Sequence, residues 1–213
     1  MGAIKTIGIV YTAILPHFAG TVKERVIPMV FRDLKASEIK CRIVSIEEDK
    51  VKLLLCRDPR TDSAILTEGV GNLQWQRTEG RCGNDWVCSV GVNLYYNEPR
   101  RNPVFTWKSG VGQPRFPGDL KGESSEAFQR ACVEFGIGAE LYTAPPILIT
   151  GVKTRLVEGK FVTDERYRVS YIVIEEKRIL ELTIVRFWKD EQGAWQCATA
   201  FDWKRPDADG EDS

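Results

Sequence analysis

The sequence predicts an α+β fold, in which an antiparallel β-sheet is crossed by one helix and extended by a C-terminal β-meander. In the run at 86–96 the apolar residues occupy alternate positions, the period of a strand with one buried face. The run at 195–203 alternates in the same way. Between these runs, the apolar residues of 125–135 recur at helical spacing. A chain of 213 residues is long enough for one well-buried core.

The first half of the core begins with a hairpin and a short helix. Two β-rich runs in 39–56 flank a charged turn, which predicts a β-hairpin. A short helical turn is expected in 61–71, where polar residues precede an apolar run that ends at glycine. The candidate caps are Asp62 and Ser63, and the candidate ends are Gly69 and Gly71.

The run at 86–96 is the clearest strand, and its apolar face extends from Trp86 to Tyr96. A second β-rich run at 103–110 follows after a short polar segment, so we expect the two strands to pair antiparallel. Arg100 and Arg101 then stand at the exposed tip of this hairpin.

The helix predicted over Ser125–Phe135 has a polar start and a glycine end. Ser124 or Ser125 suits the N-cap, and Gly136 suits a left-handed stop. The apolar residues lie on one side and pack onto the sheet, which leaves Gln129 and Arg130 facing outward.

The last third of the chain predicts a three-stranded meander. Its strands are "RYRVSYIVI", "ILELTIVRFW" and "AWQCATAFDW", separated by charged turns. We therefore divide the chain into an N-terminal arm (1–34), a core (35–149), the meander (150–204) and an acidic tail (205–213).

The N-terminal arm contains an apolar run after Lys5 that loosely resembles a secretory signal. Polar Thr12 interrupts the run and no clean cleavage site follows it, so we expect a poorly ordered arm over 1–30, with Met29 as an alternative start. No stretch is apolar enough for a membrane span, and no membrane partner is expected.

Cysteine and histidine usage argues against a zinc site. The chain has six cysteines without a Cys-x-x-Cys pair, and its single histidine is His17. Several cysteines lie in apolar runs, which is typical of buried free thiols rather than of a disulfide scaffold. This usage favours the reducing cytoplasm.

Sequence motifs for catalysis are missing. There is no Gly-x-Ser-x-Gly, no His-Glu-x-x-His and no Gly-x4-Gly-Lys-Ser/Thr loop. The glycine-rich segment 110–118 has the features of a flexible loop, and the acidic pairs at 47–48 and 175–176 fall in predicted turns. We expect no enzyme, no cofactor and no metal, and a metal-dependent nuclease is the enzymatic alternative.

Charge is balanced overall but distributed unevenly. Thirty basic and thirty acidic residues cancel, which at first argues against a nucleic-acid partner. Four acids lie in 207–213, however, either as a solvated end or as an interaction tail. Between Gly69 and Lys121 seven basic residues stand against four acidic ones. Aromatic residues are interleaved with these basic residues, at Trp75, Tyr95, Tyr96 and Trp107. They are either core residues or stacking platforms for unpaired bases.

Arg130 has two explanations that do not exclude each other. Glu126 lies four residues before it, which is the favourable order for an ion pair on a helix. An outward-facing arginine on a capped helix also suits a phosphate contact.

Two segments together resemble a known family. The segment "KGESSEAFQRACVEFGIGAELY" resembles the signature Lys-Gly-x-x-Ser-Asp-Ala-Phe-Lys-Arg-Ala-x-x-x-Phe/Trp-Gly-Ile-Gly-Arg-x-Leu-Tyr of the Rad-fifty-two/Sak-type single-strand annealing proteins of phage and eukaryotic recombination. Upstream, "ILTEGVGNLQWQR" is similar to that family's Asp-x-Val-x-Gly-x-x-x-Trp region. The resemblance covers roughly 35–149.

The resemblance implies a β-β-β-α core, assembly into open or closed homo-oligomeric rings, and ATP-independent annealing of complementary strands in recombination and repair. Single-stranded DNA is the implied partner, with a single-strand-binding protein or an exonuclease as candidate protein partners. Matched by position, Arg130 corresponds to the arginine that faces the DNA backbone. Arg60 lies one residue out of register with another basic groove contact, and Arg101 falls at the family's basic hairpin turn.

Two departures from the signature weaken this assignment of residues. Gln129 replaces the expected lysine, and Ala139 replaces the arginine after Gly-Ile-Gly. Each missing cation reduces phosphate neutralisation. The alternative is therefore a ring-forming scaffold or interaction protein that does not bind DNA.

We expect a nucleic-acid-binding surface in which basic side chains contact phosphates and an aromatic side chain contacts bases. The candidate phosphate contacts are Arg130, Lys121, Arg100, Arg101, Lys108 and Arg60, and the candidate base contact is Trp107.

Overall fold

The computed structural model of the protein describes residues 29–114 and 119–206. These residues form antiparallel sheets with helices packed against them, which confirms the predicted α+β class. The run after Lys5, His17 and residues 207–213 of the tail lie outside the described residues. The elements up to the second helix are β1 (Ile39–Ile46), β2 (Lys50–Arg57), α1 (Pro59–Val70), β3 (Trp75–Cys82), β4 (Asp85–Asn93), β5 (Phe105–Gly112) and α2 (Leu120–Val133).

The second part of the chain is almost entirely β-structure. A 3-10 turn at Ala139–Thr143 follows α2, and another at Ala36–Glu38 precedes β1. The remaining strands are β6 (Ile147–Thr150), β7 (Arg155–Val157), β8 (Lys160–Val162), β9 (Arg166–Glu175), β10 (Arg178–Lys189) and β11 (Trp195–Lys204).

The predicted hairpin and the predicted meander belong to one six-stranded sheet. Its strand order is β11-β10-β9-β1-β2-β6, so the meander joins the hairpin where Lys40 of β1 pairs with Arg168 of β9. The expected boundary between 149 and 150 falls inside β6. Since β6 pairs only with Lys50–Leu53 of β2, no strand lies beside Leu54–Arg57 on that edge.

The helix α2 crosses a separate three-stranded sheet of order β3-β4-β5, and these four elements form the β-β-β-α unit. The face of β4 toward α2 is fully buried at Cys88, Val90 and Val92. The expected continuation of this buried face to Leu94 is wrong, because β4 ends at Asn93 and Leu94 is 47% exposed.

Two glycines of β5 allow α2 to approach the sheet closely. A Cβ atom at Gly110 would lie 2.5 Å from the backbone nitrogen of Ala131 and 2.7 Å from Cβ of Arg130. At Gly112 a Cβ atom would lie 2.7 Å from the carbonyl carbon of Glu123. Any side chain at these positions would push α2 away, so the glycines fix the height of Arg130 above the sheet.

Both helices begin earlier than predicted. Asp58 caps α1 by accepting a hydrogen bond from the backbone nitrogen of Arg60, and Asp119 caps α2 by accepting one from Gly122. The predicted caps have other partners: Asp62 binds Arg57, and Ser124 binds Arg77 and Glu79 on β3. Gly71 ends α1, as predicted. Within the described ranges, no helix is long and apolar enough to cross a membrane.

Residues 29–34, which the sequence assigned to the arm, pack against the core. The side chains of Phe31 and Leu34 are buried, and the Phe31 ring meets the Phe135 ring edge-on with centroids 6.4 Å apart. Lys177 donates a hydrogen bond to the carbonyl oxygen of Phe31. This segment therefore connects the end of α2 to the turn between β9 and β10.

Four strands were not predicted individually: β3, β6, β7 and β8. Strand β3 is polar along most of its length and lacks the alternation that marks a half-buried strand. The other three are only three or four residues long. Short or polar strands owe their structure to their neighbours, which local sequence does not record.

We expect Gly110→Ala to lower the free energy of unfolding by about 1–3 kcal/mol, because the added methyl overpacks the contact with α2. The matched control is Gly80→Ala, since Gly80 lies in the same sheet with no atom within 4 Å of its ideal Cβ position. Urea unfolding followed by circular dichroism measures both variants. Equal stability of the two would contradict the close-packing role of Gly110.

Candidate nucleic-acid interface

A buried arginine at the end of β2 connects three parts of the fold. Nε of Arg57 lies 2.5 Å from Oδ1 of Asp62 on α1, and Nη2 donates to the backbone carbonyl of Gln129 on α2 at 3.0 Å. The guanidinium also lies against Gly138, where a Cβ atom would be 2.5 Å from Nη1. Arg57 therefore holds α1, α2 and the turn after α2 in one arrangement.

Gln129 completes this connection from the helix side. Its Nε2 donates to the backbone carbonyl of Arg57 at 2.9 Å, so the two residues exchange hydrogen bonds in both directions. The expectation that Gln129 faces outward is wrong, because its amide satisfies the open backbone edge of β2. Gln129, which stands where the annealing-protein signature has lysine, is thus held by hydrogen bonds within the fold, whereas the neighbouring Arg130 is exposed.

The Asp62 carboxyl lies in an environment that disfavours its charge. Burial raises the pKa of Asp62 to about 6, the Arg57 guanidinium opposes the rise, and the buried Glu140 adds to it. Arg57 and Asp62 side chains are 5% and 0% exposed. Such a pair costs desolvation, and it specifies geometry more than it adds stability.

A groove runs between α2 and the open edge of β2. Its volume is about 550 Å³, and it forms because β6 begins at Ile147, opposite Leu53, while β2 continues to Arg57. We call it the α2–β2 groove. Its walls include Lys52, Leu54 and Cys56 of β2, Glu126, Gln129 and Arg130 of α2, and Tyr142, Pro145 and Pro146 of the connecting segment.

Arg130 lies on the wall of the α2–β2 groove in the last turn of α2. Its side chain is 47% exposed, and Nη2 lies 2.6 Å from Oε1 of Glu126. The predicted helical ion pair is therefore present, and the guanidinium remains accessible from the groove. An exposed ion pair of this kind contributes at most about 0.5 kcal/mol. A phosphate can therefore readily replace the Glu126 carboxylate as the partner of Arg130.

Tyr142 is the aromatic side chain of the groove, and it is not among the residues predicted from the sequence. It is 73% exposed in the 3-10 turn after α2 and lines the same groove as Arg130. The only sequence signal for Tyr142 is its position at the end of the segment that resembles the annealing-protein signature. An exposed ring beside a cation suits stacking on an unpaired base.

The structure brings Lys108 close to this end of α2 and separates Lys121 from it. Gly112 of β5 contacts Glu123, and Gly110 contacts Ala131, so Lys108, two residues further along the same face, lies level with the C-terminal end of α2. Lys121 is exposed in the first turn of α2, nine residues before Arg130. This separation is about 14 Å along the helix axis.

Two of the other predicted phosphate contacts, Arg60 and Arg101, are engaged in local ion pairs. Arg60 is 90% exposed and binds Asp58 through both Nε and Nη2 at 3.0 Å. This contact and Lys40 hold the pKa of Asp58 well below its usual range. Arg101 lies on the exposed β4–β5 loop with Arg100, 3.3 Å from Glu98.

Trp107 lies on the wrong face of the three-stranded sheet to share a groove with Arg130. It pairs across the sheet with Gly91, and both residues alternate with the positions that α2 covers. The ring covers the space where Gly91 has no side chain, and Trp107 is 43% exposed. One short stretch of nucleic acid cannot contact both residues within a single subunit.

No group of three histidine, cysteine or acidic side chains that would hold a metal occurs among residues 29–114 and 119–206. No protein-family model, no curated protein and no solved structure matches the chain.

We expect Asp62→Ala to lower the free energy of unfolding by about 3–5 kcal/mol, because it leaves the Arg57 guanidinium buried without its partner. The control is Asp164→Ala, which removes an exposed pair with Arg155 and should cost less than about 1 kcal/mol. Urea unfolding compares the two. Similar losses in both variants would contradict the role assigned to Arg57.

Proposed function

We propose that the protein binds single-stranded DNA in the α2–β2 groove and anneals complementary strands without nucleotide hydrolysis. The observation that carries this proposal is Arg130, an accessible guanidinium in an open groove that also contains Lys52 and the exposed ring of Tyr142. Cations for phosphate and a ring for bases are the two requirements of single-strand binding. The resemblance of 121–142 to the annealing-protein signature supports the same function.

In this mechanism Arg130 exchanges its partner when DNA binds. A phosphate replaces the Glu126 carboxylate and accepts a charge-assisted, bidentate hydrogen bond from the guanidinium. Lys52 on the opposite wall of the groove neutralises a neighbouring phosphate. Tyr142 holds a base unstacked from its neighbours, so that its pairing edge stays accessible to a complementary strand. Annealing requires this positioning alone and no acid–base group.

We further propose that subunits assemble into rings through the outer face of the three-stranded sheet. The solvated face of an antiparallel sheet normally carries polar side chains. The centre of a protein–protein interface, in contrast, is depleted in charged residues. Within the described residues this face carries a single charged side chain, Asp85 at the start of β4, and it exposes Trp107 and Val111. Trp107 is then a subunit contact rather than a base contact.

A ring makes weak binding by each subunit sufficient. Only one cation remains of the Lys-Arg pair in the signature, and its partner Gln129 is held by Arg57. When the α2–β2 groove is repeated around a ring, a strand bound in one groove meets the groove of the next subunit at a raised effective concentration. We therefore expect weak affinity for short oligonucleotides and much tighter binding for strands that span several subunits.

The second candidate function is a ring-forming scaffold that does not bind DNA. The observation in its favour is that Arg130 is already paired with Glu126. Particle mass distinguishes the two candidates, because a scaffold forms the same particles whether or not single-stranded DNA is present. Light scattering after size exclusion, with and without DNA, measures this.

Arg130→Ala should weaken single-strand binding alike for all sequences and slow annealing of labelled complementary oligonucleotides without nucleotide or metal. The log–log salt dependence should flatten by about 0.7 for the lost phosphate contact. Glu126→Gln should tighten binding, since it frees the guanidinium. The control is Arg155→Ala, which removes an exposed, ion-paired arginine on β7.

The proposal fails if the wild-type protein neither accelerates pairing nor binds single strands at low salt. A sequence-dependent loss in Arg130→Ala would contradict the phosphate assignment.

Ser109→Glu should dissociate the assembly, because it introduces a charge beside Trp107 on the outer face of the three-stranded sheet. Ser109 is exposed, so the substitution leaves the subunit core intact. Gln192→Glu, in an exposed turn of the six-stranded sheet, adds the same charge elsewhere and should leave the mass unchanged. Light scattering reports the mass, and an unchanged mass for Ser109→Glu would exclude this face as the subunit contact.

A further inference from the structure

One face of the six-stranded sheet carries exposed cations from four neighbouring strands. None of these residues is among the candidates predicted from the sequence, because they are scattered over 150 positions of the chain. We call this surface the basic sheet face. Its cations are Lys40 and Arg42 of β1, Lys52 of β2, Arg166 and Arg168 of β9, and Lys189 of β10.

Strand register puts these side chains on the same side of the sheet. Lys40 pairs with both Cys56 of β2 and Arg168 of β9, and paired residues project from the same face. Lys52 shares that face with Cys56 by the period of two along β2. The residues between them, such as Leu53, are buried on the opposite face.

Few acids neutralise the basic sheet face. Asp58 binds Lys40 at 3.1 Å, Asp202 of β11 accepts a hydrogen bond from Thr183, and Glu181 of β10 pairs with Lys204. In the described part of the chain, no ion pair engages the other five cations, Arg42, Lys52, Arg166, Arg168 and Lys189. Clustered, uncompensated charge of one sign produces a positive potential over the surface.

Aromatic rings lie among these cations. Cζ of Arg166 is 5.3 Å from the ring of Trp195, and Nζ of Lys189 is 5.5 Å from the same ring. Cζ of Arg168 lies 5.3 Å from the ring of Phe187. Trp195 remains 52% exposed. Cations beside an accessible ring provide contacts for both a phosphate and an unpaired base.

We propose that the basic sheet face is a second binding surface for a single strand of nucleic acid, with phosphates on its cations and a base stacked on Trp195. From β2 to β11 the sheet spans about 19 Å at 4.8 Å per strand. That length accommodates several consecutive phosphates of one strand. Lys52 lines both this face and the α2–β2 groove, so one strand can continue from one to the other.

A single strand fits this face better than a duplex does. The bases of a duplex are stacked on one another and turn only phosphates toward a flat surface, so the Trp195 ring would contribute nothing. The inference does not depend on Arg130, because none of the six cations contacts α2 through an ion pair.

Binding of labelled oligothymidylate tests the proposal through fluorescence anisotropy of the full chain at several salt concentrations. Arg166→Glu/Arg168→Glu should weaken binding about tenfold at low salt and flatten the log–log salt slope by about 1.4 for two lost contacts. Trp195→Ala should weaken single-strand binding about fivefold or more. It should leave binding of a duplex of equal length unchanged.

The matched control is Arg155→Glu/Lys160→Glu, which makes the same change in charge on the exposed hairpin of β7 and β8. Equal losses in the two double variants would overturn the proposal, because net charge alone would then explain the effect. A Trp195→Ala variant that binds single strands normally would overturn the assignment to a single strand.

The same measurements separate this proposal from the function of the α2–β2 groove. A loss in the Arg166/Arg168 variant with normal binding by Arg130→Ala supports the basic sheet face and contradicts the groove. The reverse result contradicts the basic sheet face and leaves the groove intact.

Discussion

The buried ion pair between Arg57 and Asp62 is the constraint on which the candidate binding surface depends. An unpaired guanidinium in this position would cost several kcal/mol, so α1 and the end of β2 cannot separate while the protein stays folded. The same guanidinium binds the carbonyl of Gln129, and Gly110 sets the distance of α2 from the sheet. Arg130, the next residue, is thereby fixed at the edge of an open groove.

The subunit presents three surfaces with different electrostatics. The α2–β2 groove combines a few cations with the exposed ring of Tyr142. On the basic sheet face, Lys40 has an acidic partner and the other five cations form no ion pair within the described residues. The outer face of the three-stranded sheet has Asp85 as its one charged side chain among those residues. A net charge of zero hides this division, since the acids are concentrated elsewhere. Two of these surfaces suit phosphate and bases, and the third suits another subunit.

Periodicity predicted the elements whose burial is regular: the hairpin of β1 and β2, strands β4 and β5, the helix α2 and the meander. It could not predict that β9 pairs with β1, since that pairing is a tertiary contact between residues 128 positions apart. The predicted helix caps were wrong because Asp62 is buried against Arg57 and Ser124 binds a side chain 45 positions away on β3. The helical spacing predicted that Arg130 faces outward, and it lies exposed on the groove wall. The sequence could not show which face of its sheet Trp107 occupies.

Photo-crosslinking of the protein to single-stranded DNA that contains 4-thiothymidine, followed by mass spectrometry of the peptides, tests the central claim most directly. The α2–β2 groove predicts adducts on the segment that contains Tyr142, at the side of α2 where Arg130 lies. Adducts confined to the outer face of the three-stranded sheet around Trp107, with none in the groove, would contradict the account.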